Sequence, residues 1–166
     1  MSKDVRGLLV GLTVSSFISF SFIEKDASTV GLSVGDIAPS VALARGNVKS
    51  LIEDTHSDYV LVNFWGSYDA ASRIQNKELF SVVDEAENVE MVSISFDDFE
   101  SIYKETIRKD QLPAEKCSVE LAGCESEVFK TYRLEKGFRN YLLDNRGVIV
   151  AKNLSPETLA TYLNRN

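Results

Sequence analysis

The stretch YVLVNFWGSYDAASR, Tyr59 to Arg73, holds the transition around which the rest of the chain is organised. It opens on a near-continuous run of Val, Leu and aromatic residues. Together with Asp58 and Gly66, this run predicts a strand over 58–66 that is buried on both faces. Asp69 suits a helix N-cap, because its side-chain oxygen can accept a backbone N–H of the first turn. Beyond it, Ile74, Leu79, Phe80, Val83 and Ala86 fall at helical spacing, which predicts a helix over 70–87.

Working outward, VEMVSISF (89–96) reads as a second strand and DDFESIYKETIRKD (97–110) as a second helix. That helix carries Phe99, Ile102, Tyr103, Thr106 and Ile107 on one face. Its acids Asp97, Asp98 and Glu100 at the start and its bases at the end suit the helix dipole, so the acids read as a cap rather than a metal site. A shorter helix is predicted over 125–134. RNYLLDNRGVIVAKNL (139–154) reads as a hairpin, two apolar runs around Asp144-Asn145-Arg146-Gly147. SPETLATYL closes the chain as a helix capped by Ser155, with Pro156 at its first position. Strands alternating with helices, followed by a hairpin, predict an α/β sandwich with parallel pairing first and antiparallel pairing last.

A chain of 166 residues has room for one sizeable core. Its charge of −7, with no run of Lys or Arg, argues against nucleic acid or an anionic membrane surface as partner. One histidine, His56, and two distant cysteines do not supply a zinc ligand set, and nothing in the sequence calls for a cofactor. Residues 7–23 carry no charge and follow Lys3 and Arg6. Together with Ser19-x-Ser21 they fit an export signal. The expectation is an exported, periplasm-facing protein with 1–23 as a cleaved signal or a retained anchor, or else as a helix of the fold. A linker over 24–33 and a domain over 34–166 follow. The membrane would be met only through an uncleaved N-terminus, and the oligomeric state is left open.

These words, in this order, resemble the thioredoxin fold. More specifically they resemble exported thiol–disulfide oxidoreductases of the TlpA/ResA type and their AhpC/TSA relatives. VGDIAPSVAL is similar to the opening G-x-x-A-P-x-F-x-L of that family, and YVLVNFWGSYDAASR is similar to VLVNFWASWCPPCR. GFRNYLLDNRGVIVAKNL is similar to GIPTNFLLDKDGKIIAKNL. The resemblance covers about residues 34–163 and implies a three-layer α/β/α sandwich with a central mixed sheet, a C-terminal hairpin and a final helix. It also exposes two departures. The family's Cys-x-x-Cys falls on Asp69, Ala70, Ala71 and Ser72, and its cis-proline falls on Phe138. Exchange chemistry needs a thiolate at the helix N-terminus and a second sulfur to resolve the mixed disulfide. A carboxylate and a hydroxyl supply neither.

The resulting expectation is a redox-inactive member that binds a protein or peptide through Tyr68–Ser72 and Phe138–Asn140. The residues proposed for that surface are Trp65, Tyr68, Asp69, Phe138, Arg139 and Asn140. The alternative is an oxidoreductase that uses Cys117 and Cys124. For those two cysteines, separated by SVELAG and placed away from the family's usual site, a structural disulfide, ordinary thiols and a redox pair all remain open.

Overall fold

The computed structural model describes residues 29–42, 47, 50 and 57–165. The N-terminal segment 1–23, the first half of the predicted linker and His56 lie outside the described residues. Strands β1 (Tyr59–Trp65), β2 (Val89–Ser95), β3 (Cys117–Val119), β4 (Asn140–Asp144) and β5 (Ile149–Lys152) form one sheet in the order β3-β2-β1-β4-β5. β1 pairs in parallel with β2, and β2 with β3, whereas β4 runs antiparallel to both β1 and β5. Helices α1 (Ala70–Asp84), α2 (Glu100–Asp110), α3 (Glu127–Thr131) and α4 (Pro156–Leu163) cover the sheet. No helix of the described residues is long and apolar enough to cross a membrane.

β1 explains the layering. Its side chains alternate between the two faces, and both faces are buried. Val60, Val62 and Phe64 pack with Val128 and Tyr132 around α3, together with Tyr141, Leu143 and Ile149. Leu61 and Trp65 pack on the other face with Leu79 and Val83 of α1, Tyr103 and Ile107 of α2, and Leu159 and Leu163 of α4. Burying a side chain the size of Leu61 or Phe64 contributes about 1.5–3 kcal/mol. The arrangement is the expected three-layer α/β/α sandwich.

The segment before β1 is held to the far edge of the sheet. The Gly35 N–H donates to the Ile149 carbonyl at 2.8 Å, and the Ile149 N–H donates to the Asp36 carbonyl at 2.8 Å. At the hairpin, Asp144 accepts the Gly147 N–H at 2.9 Å, and Gly147 takes φ 79°, a conformation open to a residue without Cβ. Ser155 caps α4, its hydroxyl accepting the Thr158 N–H at 3.2 Å.

Three local expectations change. β3 was not foreseen: at three residues it is too short to show a period, and its extended shape comes from pairing with β2. α2 begins at Glu100 rather than at the acids before it, with Phe99 in the N-cap position and no side-chain cap. The predicted helix over 125–134 is broken into a 3₁₀ turn, the short α3 and a second 3₁₀ turn. Arg133 in the left-handed region, at φ 53°, separates the last two.

Candidate functional site

β1 ends at Trp65, and the chain turns through Gly66, Ser67 and Tyr68 into α1. Asp69 occupies the N-cap with extended backbone, and its Oδ1 accepts the Ser72 N–H at 2.8 Å. The Ser72 hydroxyl donates back to the Asp69 carbonyl at 3.1 Å, and its oxygen accepts the Gly66 N–H at 3.3 Å. Asp69 and Ser72 are thus both engaged in closing the first turn of the helix. A capping carboxylate there contributes about 1 kcal/mol and also suits the positive end of the helix dipole.

Asp97 does not cap α2. Only 2% exposed, it follows β2, and its carboxyl group accepts hydrogen bonds from the Ser67 N–H at 3.0 Å, from the Ser67 hydroxyl and from the Ser95 hydroxyl at 2.6 Å. The loop that carries Tyr68 is thereby tied to the end of β2. The available signal was Ser95, a buried hydroxyl at the end of β2 that needs a buried partner.

Tyr68 is 68% exposed, with its ring centroid 6.0 Å from that of Phe138. Phe138 is half-buried and stacks at 5.9 Å and 21° on the core ring of Phe96. A Cβ on Gly66 would lie 2.8 Å from the Tyr68 ring and 3.3 Å from the Phe138 ring, so the two aromatics close over a backbone that only glycine leaves bare. The Tyr68 hydroxyl is pushed above the usual tyrosine range, first by burial and then by Asp97, Asp98, Asp69 and the Cys124 thiol. Among the described residues no peptide bond is cis. Beside α1, a groove of about 470 Å³ is lined by Asp69, Ser72, Ile74, Phe138 and Pro156, among others. A larger one, about 730 Å³, lies between α2 and β3, over Tyr103, Ile107, Leu112 and Cys117.

Two residues proposed for the binding surface do not reach it. Trp65 is fully buried in the core formed with α1, because β1 turns it toward the helix face of the sheet. Asn140 is 1% exposed: its Nδ2 donates to the Leu154 carbonyl at 2.9 Å and its Oδ1 accepts the Leu154 N–H at 2.7 Å, fixing the approach to α4. Arg139 is half-buried; burial raises the Tyr141 hydroxyl pKa, and the Arg139 charge acts against that rise. Tyr68, Asp69 and Phe138 remain together at the surface.

Of the three readings open for the two cysteines, the structure shows ordinary thiols. Cys117 and Cys124 are both thiols, the first buried and the second exposed. Cys117 lies on β3 with its side chain in the core beneath α1 and α2, whereas Cys124 sits on the outer side of a 3₁₀ turn. With one sulfur inside and the other outside, they do not form an exchanging pair. The turn that carries Cys124 packs against the loop after β2, where a Cβ on Gly123 would lie 3.0 Å from the Asp98 Oδ1. Among the described residues no cluster of His, Cys, Asp and Glu is placed to hold a metal ion.

No family model matches the sequence, and no curated protein matches it. Solved structures do match. A thioredoxin-like protein from Parabacteroides distasonis is 38% identical, with a TM-score of 0.72 over 81% of this chain and 96% of that one. A thiol-disulfide oxidoreductase from Bacteroides fragilis is 25% identical, with a TM-score of 0.63 over 78% of this chain and 98% of that one. A thiol:disulfide interchange protein from a Bacteroides species shares the fold, at 21% identity and a TM-score of 0.65 over 81% and 90% of the two chains. With this sheet order, this helix-capping turn and 38% identity over nearly the whole of a solved relative, the chain belongs to the thioredoxin-like superfamily.

Proposed function

We propose that this chain is an exported, TlpA/ResA-like thioredoxin domain that binds a protein or peptide without exchanging thiols with it. The observation that carries the reading is Asp69. The atom at the N-terminus of α1, where an attacking sulfur would have to stand, is a carboxylate oxygen already bonded to the Ser72 N–H. It has no accessible oxidation state for disulfide exchange, and one turn later Ser72 offers a hydroxyl rather than a resolving thiol. The separated cysteines support the same reading, since neither has a partner sulfur to close against.

What remains at the old exchange face is a surface of Tyr68, Asp69 and Phe138 beside the α1 groove, on a rigid base of β1 and Phe96. Exposed aromatics at a packed edge suit recognition, because they bring large contact area with little conformational entropy to lose. The basic start, uncharged stretch and small-x-small pattern of residues 1–23 support an envelope compartment for this surface. The test is insulin-disulfide reduction with dithiothreitol as the electron source. The expected rate equals the background without protein, and turnover comparable to that of a dithiol thioredoxin would refute the reading.

A further inference from the structure

A buried polar cluster interrupts the apolar layer between α1 and the sheet. Asn63 of β1 and Ser93 of β2 stand opposite each other in the ladder, and Asn76 meets them from the buried face of α1. The Asn63 Nδ2 donates to the Asn76 Oδ1 at 2.8 Å, and the Ser93 hydroxyl donates to the same oxygen at 2.8 Å. Asn63 is 2% exposed, and Ser93 and Asn76 are fully buried. Both lone pairs of the Asn76 oxygen are thereby used, while its amide nitrogen has no acceptor.

Reversing the amides does not help. With Asn63 and Asn76 both turned end for end, the Asn76 NH2 donates to the Asn63 and Ser93 oxygens, and the Asn76 carbonyl oxygen is the atom left over. The Trp65 indole N–H is in the same condition. Trp65 lies two residues after Asn63 on β1, so it enters the same face of the sheet. It packs in the core cluster that contains Leu79, three residues beyond Asn76 on α1. Among the described residues, Trp65 Nε1 and Asn76 Nδ2 are the buried side-chain polar atoms without a hydrogen bond.

Nearly all buried polar groups in folded proteins are bonded to protein or to water. A donor left bare in the core costs more free energy than immobilising a water that accepts from it. Apolar cavities stay dry, but this layer presents an amide, an indole N–H and a serine hydroxyl. We propose that the layer is an internal hydration site, in which water held between α1 and the β1–β2 pair accepts hydrogen bonds from the Asn76 amide and the Trp65 indole N–H. The water extends the Asn63–Asn76–Ser93 network one turn after Ser72. It thus belongs to the packing of the helix whose first turn Asp69 and Ser72 close. The inference does not depend on what the surface of Tyr68 and Phe138 binds.

Trp65 is the only tryptophan of the chain, so its indole N–H gives a single resonance. The test is a pair of water-selective NOE and ROE spectra of the ¹⁵N-labelled full chain, read at that resonance and at the Asn76 side-chain NH2. Water held longer than the tumbling time of the protein gives cross-peaks of opposite sign in the two spectra, whereas proton exchange gives the same sign in both. Opposite signs are expected at both groups. The second readout, which the exchanging Ser93 hydroxyl cannot mimic, is a crystal structure of the full chain. It should show water oxygen within about 3.2 Å of Trp65 Nε1 and of the outer atom of the Asn76 amide. Absence of the water cross-peak at either group would overturn the proposal. So would density in which Trp65 and Asn76 are dry or bonded directly to each other.

Discussion

The Asp69 carboxylate accepts the Ser72 N–H at 2.8 Å, and the Ser72 hydroxyl returns a bond to the Asp69 carbonyl at 3.1 Å. The two positions where the family's exchange chemistry would reside are thus bonded to each other as the opening turn of α1. Placing sulfur at both is the direct test of the proposed redox inactivity. Asp69→Cys combined with Ser72→Cys places a thiol at a helix N-terminus, where its pKa falls below the usual value of about 8.5. The double variant should gain insulin reduction over the parent. The rate should stay below that of a dithiol thioredoxin, because the Phe138 ring lines the same groove as Asp69 and Ser72.

Asp69→Ala alone removes the cap without adding chemistry. The expected loss is about 1 kcal/mol of unfolding free energy in urea, with an unchanged denaturant slope, and Asp69→Ser should recover most of it.

The two thiols should separate by accessibility. Ellman's reagent is expected to titrate Cys124 in the folded protein and Cys117 only after denaturation, since one is exposed and the other sits in the core. No reactive thiol in either state would mean that the two are bridged.

Asn140 should behave as a scaffold residue. Both of its bonds go to the backbone of Leu154 in a buried setting, so Asn140→Ala strands an N–H and a carbonyl there. A loss of about 2–4 kcal/mol is expected, since each stranded buried group costs roughly 1–3 kcal/mol.

Arg73 and Asp110 join α1 to the end of α2 through contacts of 2.6 and 2.7 Å. The hydrogen bonds from Arg73 hold the Asp110 carboxyl below its ordinary range, with burial opposing them. A carboxylate depressed in the folded state adds stability above its unfolded pKa of about 3.9, and that stability is lost as pH falls through the lower folded value. Arg73→Ala should therefore cost about 1 kcal/mol at neutral pH. The gap between variant and parent should shrink below about pH 4, as followed by urea melts across pH.

Most of the fold is legible locally. The buried run of β1, the Asp69 and Ser155 caps and the Gly147 turn each declare themselves within a few neighbouring residues, because capping and turn formation are short-range effects. β3 is not legible, since CSV becomes a strand only through the ladder offered by β2. The function of Asp97 is hidden for the same reason. An acid before a helix reads as a cap until Ser67, thirty positions away, is brought against it.

The residue chemistry at positions 69 and 72 was settled by the sequence: no folding can make oxygen exchange electrons as sulfur does. The tertiary structure alone decided which of the proposed surface residues reach solvent. The alternation of β1 and β4 sends Trp65 and Asn140 inward, whereas the loops at their ends bring Tyr68 and Phe138 together. It also decided the fate of the two cysteines. Pairing with β2 turns the Cys117 side chain into the core, and Cys124 is left on the outer side of its turn, a separation that spacing along the chain does not encode.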